Sequence, residues 1–305
     1  MTTGETAAAG QAQARAALLR HPRVHRSAET LPRSAPRRVV SLVPSLSEAV
    51  FLLGAGDRLV GVTEYCVHPK EAFHALPKLG GTKDADVEAI VACDPDLVIA
   101  NQEENTPRVV RKLAERGIDV WLTYPRTVRA GVDLLAAMAT VLDVSTELRS
   151  RYVRPALEAV AAAEARREGV TAPGPRVFCP IWRDPWMTIG QDTYIHDLIA
   201  LCGGRNVFAE PAPASGTSGT SGGSAADRRY PIVERPAIEA ARPEVILLPD
   251  EPYAFGPADA EELGRLDCAA ARTGRIHLID GTLLSWYGPR IVEAIRVLAP
   301  ILARA

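Results

Sequence analysis

Short apolar runs alternate with stretches of helical periodicity from residue 38 onward. The runs predict strands over residues 38–43, 59–62, 97–100 and 120–122, and the intervening stretches predict helices over 45–53, 86–92 and 107–116. Each run is continuous in Val, Leu and Ile rather than alternating with polar residues, as is typical of parallel strands covered on both faces. The pattern therefore predicts an α/β lobe over residues 38–125.

A helical segment and a second α/β lobe follow. Periodicity over residues 126–170 is helical, with a break near Asp143 and an expected kink at Pro155. Strand–helix alternation resumes over 171–305, with apolar runs at 176–179, 187–189, 245–248 and 275–279 and a closing helix over 289–302. We expect two α/β lobes with parallel-rich sheets, joined by the bridging helices of 126–170.

The two lobes resemble each other in sequence. Residues 88–100 and 237–248 both read as a helix, then Pro followed by an acid, then a buried strand, which indicates an internal duplication. Within the second copy, residues 211–226 consist only of Pro, Ala, Ser, Gly and Thr. Such a segment buries little apolar surface, so we interpret it as a flexible surface insertion.

Charge and cysteine content exclude several classes of protein. With 35 Lys and Arg against 37 Asp and Glu, the net charge is −2, and no domain-wide basic field is present to attract nucleic acid. Residues 1–37 form a basic, polar arm that we expect to be disordered. No stretch resembles a secretion signal or a transmembrane helix, which predicts a cytoplasmic protein. The five cysteines are widely spaced, which argues against a disulfide framework.

Enzyme signatures are absent from the chain. Residues 219–223 satisfy the G-x-S-x-G pattern, but they lie inside the low-complexity insertion, without the strand and helix that a nucleophile elbow needs. No P-loop, dinucleotide fingerprint or His-Glu-x-x-His motif occurs. The sequence therefore favours non-catalytic binding with no cofactor.

Polar and aromatic side chains follow the predicted strands, where open α/β sheets bind their ligands. We expect the two lobes to form a cleft between them that is lined with flat apolar ring faces and hydrogen-bonding groups. In the first lobe the candidate ligand-binding residues are Tyr65, Thr82, Lys83, Asn101 and Glu104. In the second lobe they are Trp182, Trp186, Tyr230, Tyr253, Trp286, Tyr287 and Arg290.

A different chemistry is also open at this point. Cys66, His68 and His196 could bind a bare metal ion, which would make the chain a metal-ion-binding protein or a metal-dependent enzyme. A bare cation is held by donor atoms, whereas an organic ligand in the cleft would be held by ring faces. The number of His and Cys side chains that converge in the cleft therefore separates these two hypotheses.

Several motifs resemble the cobalamin- and iron-siderophore-binding proteins of ABC importers, which are periplasmic-binding-protein-like. The resemblance rests on Val39-Val-Ser-Leu-Val-Pro-Ser-Leu-Ser-Glu48, Asp94-Pro-Asp-Leu-Val-Ile-Ala100 and Cys202-Gly-Gly-Arg-Asn-Val-Phe208, in the expected order. Gly80-Gly-Thr-Lys83 and Trp286-Tyr-Gly-Pro-Arg290 look most like the branch described as cobalamin-binding or helical backbone metal receptor. The resemblance implies two lobes bridged by one long rigid helix, and a bound metal chelate, foremost a corrinoid.

The resemblance also implies which residues bind the ligand and which partner protein the chain docks on. Corrin-holding positions of the family fall near Thr82, Asn101, Trp186 or Met187, and Tyr230, so aromatic contact is kept only in the second lobe. Family members dock on an ABC permease through one glutamate per lobe. Glu88 matches the first of these, whereas Pro236 stands at the second. We expect a monomer, and an extracytoplasmic location if the start of the chain is misassigned.

Overall fold

A computed structural model describes residues 16–169, 172–210 and 228–303 of the 305-residue chain. The predicted insertion at 211–226 and the first fifteen residues of the arm lie outside the described residues. The chain divides into two compact units. The first contains the residues up to Tyr124 together with Asp133–Arg154, and the second contains Pro125–Val132 together with the chain from Pro155 onward.

The first unit is built on a five-stranded parallel sheet. Its strands are β1 (Val24–His25), β2 (Val39–Ser41), β3 (Leu59–Val62), β4 (Leu97–Asn101) and β5 (Val120–Thr123). Their order across the sheet is β1-β5-β4-β2-β3. The three central strands are buried along their whole length, as continuous apolar runs predict.

Helices cover this sheet and begin at residues suited to helix starts. Asp86 and Thr106 cap two of them, since their side chains accept hydrogen bonds from backbone N–H groups of the first turn. The α-helices are Pro44–Val50, Lys70–Phe73, Val87–Ala92, Pro107–Glu115 and Thr146–Leu148. Short 3-10 helices span Ala28–Thr30 and Gly56–Arg58, and π-helical turns span Phe51–Ala55 and Arg149–Val153.

The prediction of a disordered arm through residue 37 is wrong for residues 16–37. β1 adds a parallel edge strand to β5, with Val24 paired to Val120 and His25 to Trp121. Leu18, Val24 and Leu31 are buried. The buried His25 lies 2.9 Å through Nε2 from Asp119 Oδ1, which ties the strand to the turn before β5. The buried apolar residues and the His25–Asp119 contact therefore order residues 16–37, although their polar, basic composition predicted disorder.

The second unit repeats the sheet of the first. Its strands are β6 (Arg176–Phe178), β7 (Pro180–Trp182), β8 (Met187–Thr188), β9 (Arg205–Asn206), β10 (Val245–Pro249) and β11 (Ile276–Ile279). The order β11-β10-β6-β9 is parallel and matches β5-β4-β2-β3, while β7 and β8 form a separate antiparallel pair. The shared order supports the internal duplication. Parallel-rich α/β architecture is thus confirmed in both units.

The predicted helical segment consists of two helices of moderate length. Val128–Val141 ends before Asp143, whose φ is 49°, and Arg154–Glu168 begins directly before Pro155. Arg154–Glu168 continues without a break from Thr146–Leu148 through the π-helical turn Arg149–Val153, so Pro155 lies inside this helical run, directly after the π-helical turn. Val128–Val141 contributes residues to both units. A single long helix is not what the structure shows, and the rigidity of this bridge stays a prediction.

The remaining helices of the second unit pack beside its strands. They are Tyr194–Leu201, Arg235–Ala240, Pro257–Leu263, Ala269–Thr273, Gly281–Ser285 and Ile291–Leu302. Among the described residues, no helix has the length and apolar character that crossing a membrane requires.

Candidate ligand-binding site

The loop after β3 carries Tyr65 on a buried anchor, Cys66. The Cys66 Sγ lies 3.1 Å from Ser47 Oγ and 3.2 Å from Thr63 Oγ1, and Lys78 Nζ donates to its carbonyl at 3.3 Å. Burial raises the pKa of the Cys66 thiol, so it is neutral at ordinary pH. Tyr65, in contrast, is 60 % exposed, which leaves its ring available for a ligand.

Two asparagines organise the loop after β4. The Asn101 Oδ1 accepts from the N–H of Glu103 at 2.7 Å and of Glu104 at 3.3 Å, and the N–H of Asn101 donates to Asn105 Oδ1 at 2.7 Å. The Asn105 amide in turn donates to the carbonyls of Leu42 and Thr82. Asn101 is only 2 % exposed, so it positions the loop, and its contact with a ligand stays a prediction.

Thr82 and Lys83 lie on the loop that this network holds. The Thr82 carbonyl accepts from Asn105 Nδ2 at 2.9 Å, and the ammonium of Lys83 donates to the Glu103 carbonyl. A Cβ on Gly81 would lie 3.2 Å from the Tyr65 ring, so the ring lies against this glycine. The structure thus brings Tyr65 close to the loop that carries Thr82.

An aromatic cluster occupies the second unit, formed by Trp182, Trp186, Tyr253 and Phe255. Ring centroids of Trp182 and Tyr253 lie 5.7 Å apart at 75°, those of Tyr253 and Phe255 lie 4.6 Å apart, and Trp186 stacks on Phe255 at 5.8 Å and 2°. β7 and the turn before β8 carry the two tryptophans, and the loop after β10 carries the other two rings. Trp182 is 45 % exposed, so the cluster presents a ring to solvent.

Arg183 supports this cluster from behind. Its guanidinium lies 5.5 Å from the Trp186 ring centroid and pairs with the carboxylates of Asp259 and Glu262. The hydrogen bond that Arg183 donates to Asp259 is the largest cause that raises the pKa of Arg183. Asp259 also accepts from the Gly256 N–H at 2.8 Å, at the start of Pro257–Leu263. The sequence analysis assigned no role to Arg183 or Phe255, although both adjoin predicted aromatic residues.

Tyr230 lies in a segment that runs beside β8. The Thr188 N–H donates to the Pro231 carbonyl at 3.0 Å, and the Val233 N–H donates to the Trp186 carbonyl at 2.9 Å. The guanidinium of Arg229 lies 5.3 Å from the Tyr230 ring centroid. The segment that carries Tyr230 therefore lies beside the β7–β8 hairpin, which carries the two tryptophans of the aromatic cluster.

Trp286, Tyr287 and Arg290 have a different environment from the exposed loop that their sequence suggests. Trp286 and Tyr287 are each 7 % exposed. Tyr287 packs edge-on against Tyr194 at 5.7 Å, and Arg290 covers the Trp286 ring at 5.0 Å. These aromatic side chains therefore lie in the interior of the second unit, and their contact with a ligand stays a prediction.

Glu251 is a polar group of this region that the sequence analysis did not assign. Its carboxylate accepts from Ser285 Oγ at 3.1 Å and from the Trp286 side chain. Burial raises the pKa of Glu251, and the two hydrogen bonds partly oppose that shift. Its place directly after β10, at the carboxyl end of the strand, is the signal that could have identified it.

The metal-ion hypothesis finds no cluster to support it. Over residues 16–169, 172–210 and 228–303, no group of three or more His, Cys, Asp or Glu side chains is arranged to hold a metal ion. The Cys66 thiol faces two hydroxyls of the first unit, and His196 Nδ1 lies 3.4 Å from the Asn206 amide in the second.

Glu88, the expected docking residue, is exposed but paired. Its side chain is 72 % exposed, and its carboxylate accepts two hydrogen bonds from Arg116, at 2.9 and 2.5 Å. The hydrogen bond from Arg116 lowers the pKa of Glu88, so the residue carries its charge at neutral pH.

Comparison with known proteins identifies related chains. A family model described as periplasmic binding protein matches residues 39–281. A vitamin B12-binding protein of Photorhabdus laumondii is 27 % identical over 223 residues, which cover 70 % of this chain and 71 % of the relative. The vitamin B12-binding protein BtuF of Vibrio cholerae has a similar fold, with TM-score 0.70, 22 % identity and coverage of 88 % and 96 %. An apo periplasmic heme-binding protein of Roseiflexus sp. RS-1 gives TM-score 0.69, 24 % identity and coverage of 87 % and 97 %.

These findings confirm the resemblance and correct one prediction. The matched family consists of periplasmic binding proteins, which are not enzymes, in agreement with the sequence analysis. The prediction of a cytoplasmic chain is wrong, because the family and the two solved relatives are periplasmic. The absence of a recognisable leader in the printed sequence was too weak an observation to carry that prediction.

Proposed function

The chain belongs to the family of periplasmic binding proteins, and we propose that it binds a metal chelate, a cobalamin or another corrinoid, without covalent chemistry. Relatives named as vitamin B12-binding and heme-binding proteins support the chelate class. The curated relatives named for vitamin B12 favour the corrinoid within that class.

The aromatic cluster is the observation that carries this proposal. A large planar ligand with a polar rim gains most from ring faces placed beside hydrogen-bonding groups. Trp182 offers an exposed ring, and Trp186 contacts both Phe255 and Arg183. Rigid aromatic side chains lose little conformational entropy when a ligand arrives, so contact with them is translated efficiently into affinity.

Partners follow from the same proposal. We expect the loaded protein to deliver its ligand to an ABC permease, with Glu88 as a docking residue. Its exposed, ionised carboxylate suits an arginine of a partner surface, and that arginine would replace Arg116. On the second unit, Glu234 begins the helix Arg235–Ala240 and Glu239 pairs with Arg235, so Glu234 is the better placed second acid.

Titration of the purified chain with four probes tests the ligand. The probes are hydroxocobalamin, hemin, the ferric siderophore ferrichrome and zinc chloride, followed by tryptophan emission, visible absorption and melting temperature. We expect hydroxocobalamin to quench emission and raise the melting temperature, since a ligand that binds only the folded state stabilises it. Trp182→Ala should weaken this binding about tenfold or more, through loss of stacking area worth about 1–3 kcal/mol.

Phe51→Ala is the matched control, because it removes a partly exposed ring of the first unit that lies outside the aromatic cluster. It should leave hydroxocobalamin binding unchanged. Tighter binding of hemin or ferrichrome than of hydroxocobalamin would replace the corrinoid by that chelate. A response to zinc alone, or to none of the probes, would overturn the proposal.

A further inference from the structure

A cavity lies in the second unit beside the amino ends of β6 and β9, and none of the aromatic-cluster residues lines it. It has a volume of about 970 Å³ and adjoins Arg176 and Arg205, the first residues of β6 and β9. The aromatic cluster, in contrast, follows the carboxyl end of β10 and the β7–β8 hairpin. The cavity is therefore distinct from the proposed chelate site, and we name it the basic groove.

Positive charge dominates the lining of the basic groove. Arg166, Arg167, Arg176 and Arg205 line it together with His196, and none of the Asp and Glu residues that the structure describes lines it. Asp197 follows His196 in sequence, but its carboxylate accepts from the Val128 N–H at 2.7 Å.

Two of these arginines have no counter-charge within the described part of the chain. Arg166 and Arg167 make neither a hydrogen bond nor an ion pair there, and the Arg205 guanidinium makes a single hydrogen bond, from Nε to the Gly174 carbonyl at 3.0 Å. By comparison, Arg116 pairs with Glu88 and Arg272 pairs with Asp267. Uncompensated guanidinium groups around one cavity constitute an anion-attracting field.

The charges of Arg166 and Arg167 also affect the pKa values of two residues that line the groove. Burial lowers the pKa of His196, the charge of Asp197 opposes that shift, and the charge of Arg167 adds a smaller lowering. Burial raises the pKa of Cys202 to about 12, and the charge of Arg166 opposes that shift. Arg166 and Arg167 therefore lie near enough to the lining for their charges to affect Cys202 and His196.

Close backbone packing keeps the floor of the groove in place. A Cβ on Gly174 would lie 1.6 Å from the Gly203 carbonyl oxygen, so the two segments touch through their backbones. Apolar side chains complete the lining, among them Leu201, Val207 and Leu302. The groove thus combines cationic groups with apolar surface, and its volume is within the range of small-molecule sites.

We infer that the basic groove binds an organic anion that carries a phosphate group. Guanidinium groups match phosphate oxygens with paired, charge-assisted hydrogen bonds, and the apolar lining accommodates the rest of the molecule. Arg176 contributes less than the others, because its guanidinium already donates to the Ala241 carbonyl. The phosphate could belong to a free organic phosphate or to a phospholipid headgroup. The inference does not rest on the proposed chelate function.

Two binding arms distinguish these sources. In the first, adenosine 5′-monophosphate and inorganic phosphate are titrated calorimetrically at low and moderate salt. In the second, the chain is sedimented with vesicles of phosphatidylglycerol or of phosphatidylcholine. Binding in the first arm alone identifies a free phosphate, and selective binding to phosphatidylglycerol vesicles identifies a lipid headgroup.

Charge-reversal variants make the result specific to the groove. The double variant Arg167→Glu, Arg205→Glu should weaken binding at least tenfold in whichever arm responds. The control Arg108→Glu, Arg154→Glu changes the net charge equally at exposed positions outside the groove and should bind like the parent. Absence of binding in both arms, or equal loss in both variants, would overturn the inference. Melting temperatures of both variants confirm that each is folded.

Discussion

Arg176 makes in the second unit the contact that Arg38 makes in the first. The Arg38 guanidinium donates to the carbonyls of Cys93 and Asp94, at 2.6 and 2.8 Å, and the Arg176 guanidinium donates to the Ala241 carbonyl. Each arginine stands at the start of a central strand, and each thereby satisfies the end of a neighbouring helix whose last carbonyls lack helical partners.

Acids at equivalent positions complete both contacts. Asp96 accepts from the N–H of Arg38 at 3.1 Å, and Glu244 accepts from the N–H of Arg176 at 2.8 Å. Both acids follow a proline, and the residue before that proline has φ of 46° in both units, Asp94 in one and Arg242 in the other. The same connection between helix and strand has therefore been kept twice with different side chains.

Arg242→Gly should stabilise the protein. Its φ of 46° lies in the left-handed region, which disfavours a residue with a Cβ, and glycine relieves that cost. After the entropy that glycine loses on folding, we expect a gain of about 0.5–1 kcal/mol in the free energy of unfolding, measured by urea denaturation. Asp94→Gly should gain less, because Asp tolerates this conformation. A lower midpoint for Arg242→Gly would contradict the interpretation.

Much of the fold could be predicted because its signals are local. The strand predicted over 59–62 appears with those bounds, and the helix predicted over 86–92 begins one residue later, at Val87. β1 could not be predicted, since a two-residue strand carries no periodicity and owes its place to pairing with Val120, far along the chain. The break of the helical segment near Asp143, in contrast, was predicted, and Asp143 has a left-handed φ of 49° in the structure.

The positions of several candidate residues in the fold could be predicted from the sequence, but their exposure to solvent could not. Strand ends identified Trp182, Trp186 and Tyr253, which the structure brings together. The burial of Tyr287 could not be read from its loop, because it depends on Gly131, where a Cβ would lie 3.0 Å from the Tyr287 Cβ. Contacts of this kind join residues more than a hundred positions apart, and periodicity says nothing about them.

Asn105→Ala should destabilise the first unit. The side chain satisfies the carbonyls of Leu42 and Thr82 and the N–H of Asn101, so its removal leaves three backbone groups without their partner. Unsatisfied buried groups are costly, and we expect a loss of about 2 kcal/mol or more in the free energy of unfolding, measured by urea denaturation. Gln102→Ala, on the same loop, should change stability by less than about 0.5 kcal/mol. Similar losses in both variants would exclude this role for Asn105.

Stability should fall at alkaline pH in part through Cys179. Burial raises the pKa of this thiol from 9.0 to about 12. Its contribution is complete below pH 9, where the thiol is neutral in both states, and is lost as pH rises from 9 to 12, because only the unfolded chain ionises readily. The slope is on the order of 1 kcal/mol per pH unit.

Cys179→Ala separates this effect from packing. The variant should be less stable at pH 7 because of lost contacts, yet its stability should decline less steeply above pH 9. Packing loss does not depend on pH, so the difference in slope between the two proteins isolates the thiol. Parallel declines, followed by urea denaturation at several pH values, would show that Cys179 does not contribute.

Arg183→Lys should weaken chelate binding without altering the exposed ring of Trp182. An ammonium is a compact charge that cannot pair with Asp259 and Glu262 while its plane covers Trp186, as the guanidinium does. Trp186 would then lose its support opposite Phe255, and we expect hydroxocobalamin affinity to fall about three- to tenfold. Near-ultraviolet circular dichroism should report the loosened stack of Trp186 on Phe255, a signal that a general loss of stability would not change at low temperature. Arg265→Lys, which alters an exposed ion pair with Glu261, should change neither quantity. Unchanged affinity together with an unchanged spectrum would show that Trp186 is positioned without Arg183.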